Sequence, residues 1–325
     1  MTELPIIATM HVDPLYLALE LGAAGFFVWA ALAAARRGRL PFLELVSAAI
    51  FGILLEEGDQ LVFETYQYSP NFLLTADRAP IVIGLTWALI IAGAMRITDA
   101  LGVRRRYAPF VDAVLAISLD LAFDAIAIRI GLWTWRGMSP TDGWFGVPAG
   151  NFYAWLFVTF GFSLVTRWLR DTAAGRPARE WLQLLVPIPA WSLLLAAIYP
   201  FAIVRPILDD RPGSGLPIFA VLLVAFVAVS GYAVFGPDRH RSNGEELAIL
   251  ELGVAFTSRI AIHVFFLAAL IIMGLVATLP VLALVSFSLL AAEFPLARLV
   301  RSRREQALRS ASVRSTASLA GAHGR

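Results

Sequence analysis

Apolar residues run in blocks of about twenty along most of this chain, and short clusters of arginine, proline, glycine and acids interrupt them. A block of that length crosses a hydrocarbon core of ~30 Å at the helical rise of ~1.5 Å per residue. The interruptions delimit nine spans, at 14–35, 41–63, 79–101, 107–130, 146–168, 180–202, 215–236, 248–278 and 280–298. The eighth is long for one crossing, so it reads as an interfacial stretch that enters the membrane near Arg259, with a tight turn at Pro280 into the ninth. The expected fold is all-α: a polytopic transmembrane helix bundle forming one domain over 1–300, followed by a disordered cytoplasmic tail, 301–325, rich in Ser, Ala and Arg.

The arginines supply an orientation. Arg36, Arg37 and Arg39 follow the first span, Arg104 to Arg106 the third, and Arg167, Arg170, Arg176 and Arg179 the fifth. Arg239 and Arg241 follow the seventh span, and a further group begins at Arg298 after the ninth. Loops after even spans hold few arginines, most of them beside acids, as at Asp77–Arg78 and Asp209–Asp210–Arg211. By the positive-inside bias the N-terminus lies outside and the C-terminus in the cytoplasm. The N-terminal stretch lacks a basic region and its apolar block is of full span length, so it reads as a helix and not as a cleaved signal.

Composition narrows the chemistry. Hydrophobic residues make up 59% of the 325 positions and charged residues 15%, against roughly 45–50% and 25% in soluble domains. There is no cysteine, which excludes disulfides and thiolate chemistry, and all 26 basic residues are arginine, which excludes a lysine Schiff base. A net charge of +2 with most arginines at span ends gives no reason to expect a nucleic-acid partner. His11, His240, His263 and His323 are scattered and form no metal-binding pattern.

The informative polar residues lie inside the spans. Span two carries Glu56, Glu57 and Asp59, and span four carries Asp120 and Asp124 on one helical face. The topology puts both groups in the outer half of the membrane, beneath loops rich in aromatics. A charge near the bilayer centre costs ~2.5–3.5 kcal/mol even on lenient scales. These carboxyls must therefore face a cavity, pair with an arginine such as Arg129, share protons or bind a cation. Arg96, Arg259, His263 and Glu293 form a second polar layer nearer the cytoplasm, read as structural pairing. Three activities suit the outer acids: general acid catalysis on an apolar substrate, a proton-coupled relay in a transporter or lipid binder, or Mg²⁺ binding by Asp120 and Asp124 against a prenyl diphosphate. No internal repeat supports the transporter, and the companion aspartate-rich motif of prenyltransferases is absent.

Several motifs then fall in a characteristic order. Leu119-Asp120-Leu121 to Asp124 is followed by Gly131-Leu132-Trp133-Thr134-Trp135, Phe145-Gly146-Val147-Pro148, and Asn151-Phe152 with Trp155; Tyr66-x-Tyr68 and Pro80 with Trp87 precede them. This section, about 56–168, resembles the membrane carotenoid biosynthesis proteins, which include the bacterial carotenoid 1,2-hydratases and bisanhydrobacterioruberin hydratase. It departs in reading Asp124-Ala125 where that family has Asp-Pro. The resemblance implies an enzyme of lyase type acting on a carotenoid or other long isoprenoid within the lipid. Such an enzyme hydrates a terminal alkene, or cyclises it, without a cofactor. It further implies Asp120 or Asp124 as the acid, with Glu56 or Glu57 as proton-sharing partner. Asp59, Tyr66, Tyr68, Trp87, Trp133, Trp135, Phe145, Asn151 and Trp155 then shape the substrate site.

Overall fold

A computed structural model describes residues 13–173, 176–236 and 249–322. His11, Arg239, His240, Arg241 and His323 lie outside the described residues. The long helices are α1 (Pro14–Arg37), α2 (Arg39–Gly58), α3 (Ile81–Ala100), α4 (Ala108–Ala127), α5 (Ala149–Ala173), α7 (Pro187–Leu208), α8 (Leu216–Phe235), α9 (Ile249–Ile272) and α10 (Pro280–Ala322), with a one-turn α6 (Pro177–Glu180) before α7. Seven of these segments are long and apolar enough to cross a membrane. The other two long helices, α2 and α4, carry the intramembrane acids, and those charges keep them outside that group. Large apolar side chains such as Ile207, Val221, Ile272 and Leu284 stand exposed on the outside of the bundle, as lipid-facing residues do.

Local chemistry sets the boundaries. Asp13 caps α1 by accepting from the Leu15 amide at 2.8 Å, and Pro14 fits the first helical position because its missing N–H needs no partner there. Gly38, at φ +139°, ends α1 and lets α2 start at the next residue. The chain of α9 is one continuous helix through Arg259, where the sequence suggested an interfacial entry, and residues 273–279 form the turn before Pro280. The helix of α10 continues past Arg301 to Ala322, through the stretch whose composition suggested disorder. That stretch has no proline, its first glycine is Gly321, and it is rich in Ala and Arg, both strong helix formers.

Buried α3 and α4 form the centre of the bundle. The α2–α3 crossing is close because glycines face each other: a Cβ on Gly52 would come within 2.6 Å of the Trp87 Cβ, and one on Gly84 within 2.3 Å of Ile53 Cγ1. One turn further along, this approach sets Glu56 of α2 beside Trp87 of α3.

Towards the arginine-rich ends, acids and arginines interlock. Arg167 pairs with Asp99 and, at 3.0 Å, with Asp112; Arg96 and Arg170 hold Glu44; and Glu251 takes Arg37 at 2.9 Å. Four arginines and four acids thus tie together α1, α2, α3, α4, α5 and α9. The expected inner layer therefore divides, with Arg96 in this network and Arg259 elsewhere. Arg259 holds Glu293 at 2.6 Å and donates to the Leu115 carbonyl at 2.8 Å, which pins α9 and α10 to α4.

Candidate active site

Two short segments from the connecting loops form the site's outer wall. Strand β1 (Tyr66–Tyr68) pairs antiparallel with β4 (Trp133–Trp135), opposing Tyr66 to Trp135 and Tyr68 to Trp133. A separate tiny ribbon, β2 (Thr75–Ala76) with β3 (Ala79–Pro80), leads into α3. Alternation along a strand puts both tyrosines and both tryptophans on one face. The Tyr66 and Trp135 rings meet at 4.9 Å between centroids. Tyr-x-Tyr and Trp-x-Trp are thus two halves of one element, a pairing between segments that periodicity along the chain cannot reveal.

A third loop aims the next group. Trp144 and Val147 exchange backbone hydrogen bonds at 2.8 and 3.1 Å, and Gly146 holds φ +87° between them. Only glycine fits there: the conformation is left-handed, and a Cβ would meet Ile128 Cδ1 at 2.9 Å. The chain then turns through Pro148 into α5, whose first turn carries Asn151. The Asn151 amide donates to Asp124 at 2.7 Å and to Asp120 at 3.1 Å. One side chain thereby bridges both carboxyls of α4.

Facing them is Glu56. It accepts from Trp87 Nε1 at 2.6 Å, from the Tyr68 hydroxyl at 2.6 Å, and from the Tyr66 hydroxyl. Burial, reinforced by the Glu56 carboxylate, pushes both phenols well above their ordinary range, so they remain hydroxyl donors. Three neutral donors thus converge on one carboxyl and fix its orientation. Among the described residues no arginine pairs with Glu56, Asp120 or Asp124. Arg129 instead donates to the carbonyls of Ala125 at 2.6 Å and Phe145 at 2.8 Å.

These groups surround a cavity of about 490 Å³. Glu56, Asp59, Asp124 and Asn151 supply its polar wall, and Tyr66, Tyr68, Trp87, Trp133, Trp135 and Trp155 much of its aromatic wall. The Trp87 and Trp155 rings meet at 4.1 Å between centroids, tilted by 37°. Asp120 is wholly buried behind Asp124, off the cavity, with its Oδ1 unpartnered. Besides Asp120, two residues singled out from the sequence are not brought to the cavity. Glu57 accepts from the backbone amides of Arg78 and Ala79, at 2.9 and 2.7 Å, and so fixes the loop before α3. Phe145 packs on Trp144 at 5.0 Å, and its carbonyl receives Arg129.

Other wall residues come from helices the motifs did not reach: Trp191, Leu194 and Phe201 of α7, and Phe265 and Phe266 of α9. Of these, only Trp191 carried a signal, as a lone tryptophan deep in an apolar run. Its ring occupies the slot left by Gly58, where a Cβ would lie 2.6 Å from Trp191 Cζ2. Asp112 was also legible as an intramembrane acid two turns before Asp120, although it belongs to the inner network.

Fold and site together define a class: a helical membrane protein with an acid-walled aromatic cavity among its helices. The sequence matches the carotenoid biosynthesis protein family over residues 15–208. That stretch is more than half of the chain, which therefore belongs to this family, and membership points to a role in carotenoid modification in a membrane. No curated protein and no solved structure matches the chain.

Proposed function

We propose that this protein hydrates a terminal alkene of a carotenoid or similarly long isoprenoid, with Asp124 as the general acid. The observation that carries the reading is the contrast within the cavity wall. Asp124 faces an apolar, aromatic space with an amide as its partner and no cation to neutralise it, while Glu56 opposite is held by three neutral donors.

In the proposed reaction the protonated Asp124 carboxyl delivers its proton to the less substituted alkene carbon. The π electrons form the new C–H bond and leave a tertiary cation. Glu56, charged and fixed, stabilises that cation together with the faces of Trp87, Trp133 and Trp155. Water adds to the cation, and the proton it sheds returns to Asp124. The sum is addition of one water, with no external oxidant or reductant. Asp120 shares the Asn151 amide with Asp124 and acts by positioning it. Cyclisation begins with the same protonation, but an internal alkene captures the cation in place of water.

Nine spans, with the N-terminus outside and the C-terminus in the cytoplasm of a bacterial inner membrane, complete the proposal. The nine long helices among the described residues and the arginine clusters along the sequence support it. Expression in a lycopene-producing bacterium tests the chemistry. A pigment heavier by one water supports hydration, an isomer of unchanged mass points to cyclisation, and unchanged lycopene contradicts both.

A further inference from the structure

The cavity reaches the outside of the bundle in two places, and their chemistry differs. On one side its wall is formed by Ala18 and Gly22 of α1, both exposed, with Phe26, and by Ala261, Ile262 and Phe265 of α9. Every one of these residues is apolar. A Cβ built on Gly22 meets nothing within 4 Å, so the wall there is open. On the other side the cavity ends at Asp59 and Thr65, where Thr65 donates to Asp59 at 2.6 Å and is itself exposed. The π-helical turn Asp59–Phe63 separates this second opening from the regular part of α2. Phe63 also lines the cavity here and is exposed, and Glu64 and Arg136 pair at 2.5 Å on the loops beside it, so this opening, unlike the first, carries polar and charged groups among its apolar ones.

A cavity of about 490 Å³ is of the size that encloses a drug-sized molecule. A long isoprenoid chain exceeds it, and the excess has to leave through a wall. Leaving past Asp59 would set hydrocarbon against the Asp59–Thr65 hydrogen bond and the neighbouring Glu64–Arg136 pair, whereas the α1–α9 wall offers apolar groups alone. Water has the reverse preference. Resting on the hydratase reading for the identity of the occupant, we propose that the two openings divide the reactants. The unreacted length of the isoprenoid lies out into the bilayer between α1 and α9, and water is admitted at Asp59 and Thr65. On this account one end of the chain meets Asp124 while its remainder stays in lipid, so the reactive end is selected by threading and the far end is not measured.

The absence of native cysteine makes this directly testable. Gly22→Cys and Thr65→Cys are made singly, and open membrane fragments holding each full-length protein are treated with a charged thiosulfonate or an apolar maleimide. The thiol introduced at 65 should react rapidly with the charged reagent. The thiol at 22 should react with the maleimide but about fiftyfold more slowly with the charged reagent, reflecting the cost of a charge in hydrocarbon. In membranes from a lycopene-producing host, lycopene should protect position 22 from the maleimide and leave position 65 reactive. Equal rates with the charged reagent at both positions, or no protection at 22, overturn the proposal. Labelling needs no turnover, so protection at 22 with unconverted pigment would sink the hydratase reading and leave the two openings standing.

Discussion

The same two helices carry acids in two layers, and the layers are built on opposite principles. Glu44 and Glu56 sit twelve residues apart on α2, about 18 Å along its axis. Asp112 sits two turns before Asp120 on α4. Glu44 and Asp112 are met by arginines reaching in from α3 and α5. Glu56 and Asp124 are met by a tryptophan, two tyrosines and an asparagine, and they border a cavity. A buried carboxylate whose partner is an arginine is electrically finished: its charge is spent holding helices together. One whose partners are neutral keeps its reactivity, at an energetic cost that the rest of the fold must absorb. Burial is the same in both layers, so burial alone does not identify a catalytic acid.

Four changes probe that contrast, in descending order of effect. Arg167→Met leaves Asp99 and Asp112 without their shared partner and should destabilise the protein by about 3–5 kcal/mol. The readout is a lowered thermal-unfolding midpoint in detergent, and adding Asp112→Asn should recover part of the loss. A midpoint unchanged by Arg167→Met would deny the inner layer its structural role. Glu56→Gln keeps the shape but removes the charge facing the cation, so turnover should fall about 10²-fold with an unchanged midpoint. Full turnover in this variant would remove Glu56 from the mechanism. Trp87→Phe deletes one of the three donors to Glu56 while keeping a ring against Trp155. A loss of about 1–2 kcal/mol is expected, read as a five- to thirtyfold fall in pigment conversion. Finally, Glu305→Gln breaks an exposed pair with Arg301 on the far part of α10. It should shift the midpoint by less than about 0.5 kcal/mol, which calibrates the other three.

Much of this arrangement was legible in the sequence, for physical reasons. Apolar runs of membrane length have few alternative structures, so most of the long helices fall within a few residues of the boundaries that hydropathy set, while α7 starts later and α10 runs on to Ala322. Acids in such runs are costly, which singled out Glu56, Asp120 and Asp124. The glycine and proline of Phe145-Gly146-Val147-Pro148 marked a shaped turn, and that turn delivers Asn151. What could not be read was partnership. Nothing local tells Glu56, which turns inward to two tyrosines, from Glu57, which turns to the amides of residues 78 and 79. The side-chain directions of adjacent helical residues differ by about 100°, and only the placement of α3 and the loops decides which side is the cavity. Likewise Arg167, placed by hydropathy at the end of a span, reaches inward to Asp112 and is almost wholly buried. The β1–β4 ribbon joins segments some 65 residues apart in sequence, and neither strand is long enough to show a period of its own.

The account stands most directly on Asp124. Asp124→Asn retains the size of the side chain and a polar contact with Asn151, but it has no proton of carboxylic acidity to give. Expressed at wild-type level in a lycopene-producing host, it should lower formation of the hydrated pigment by about 10²–10⁴-fold, with an unfolding midpoint like that of the unsubstituted protein. Undiminished hydrated pigment from Asp124→Asn would contradict the assignment of this carboxyl as the acid.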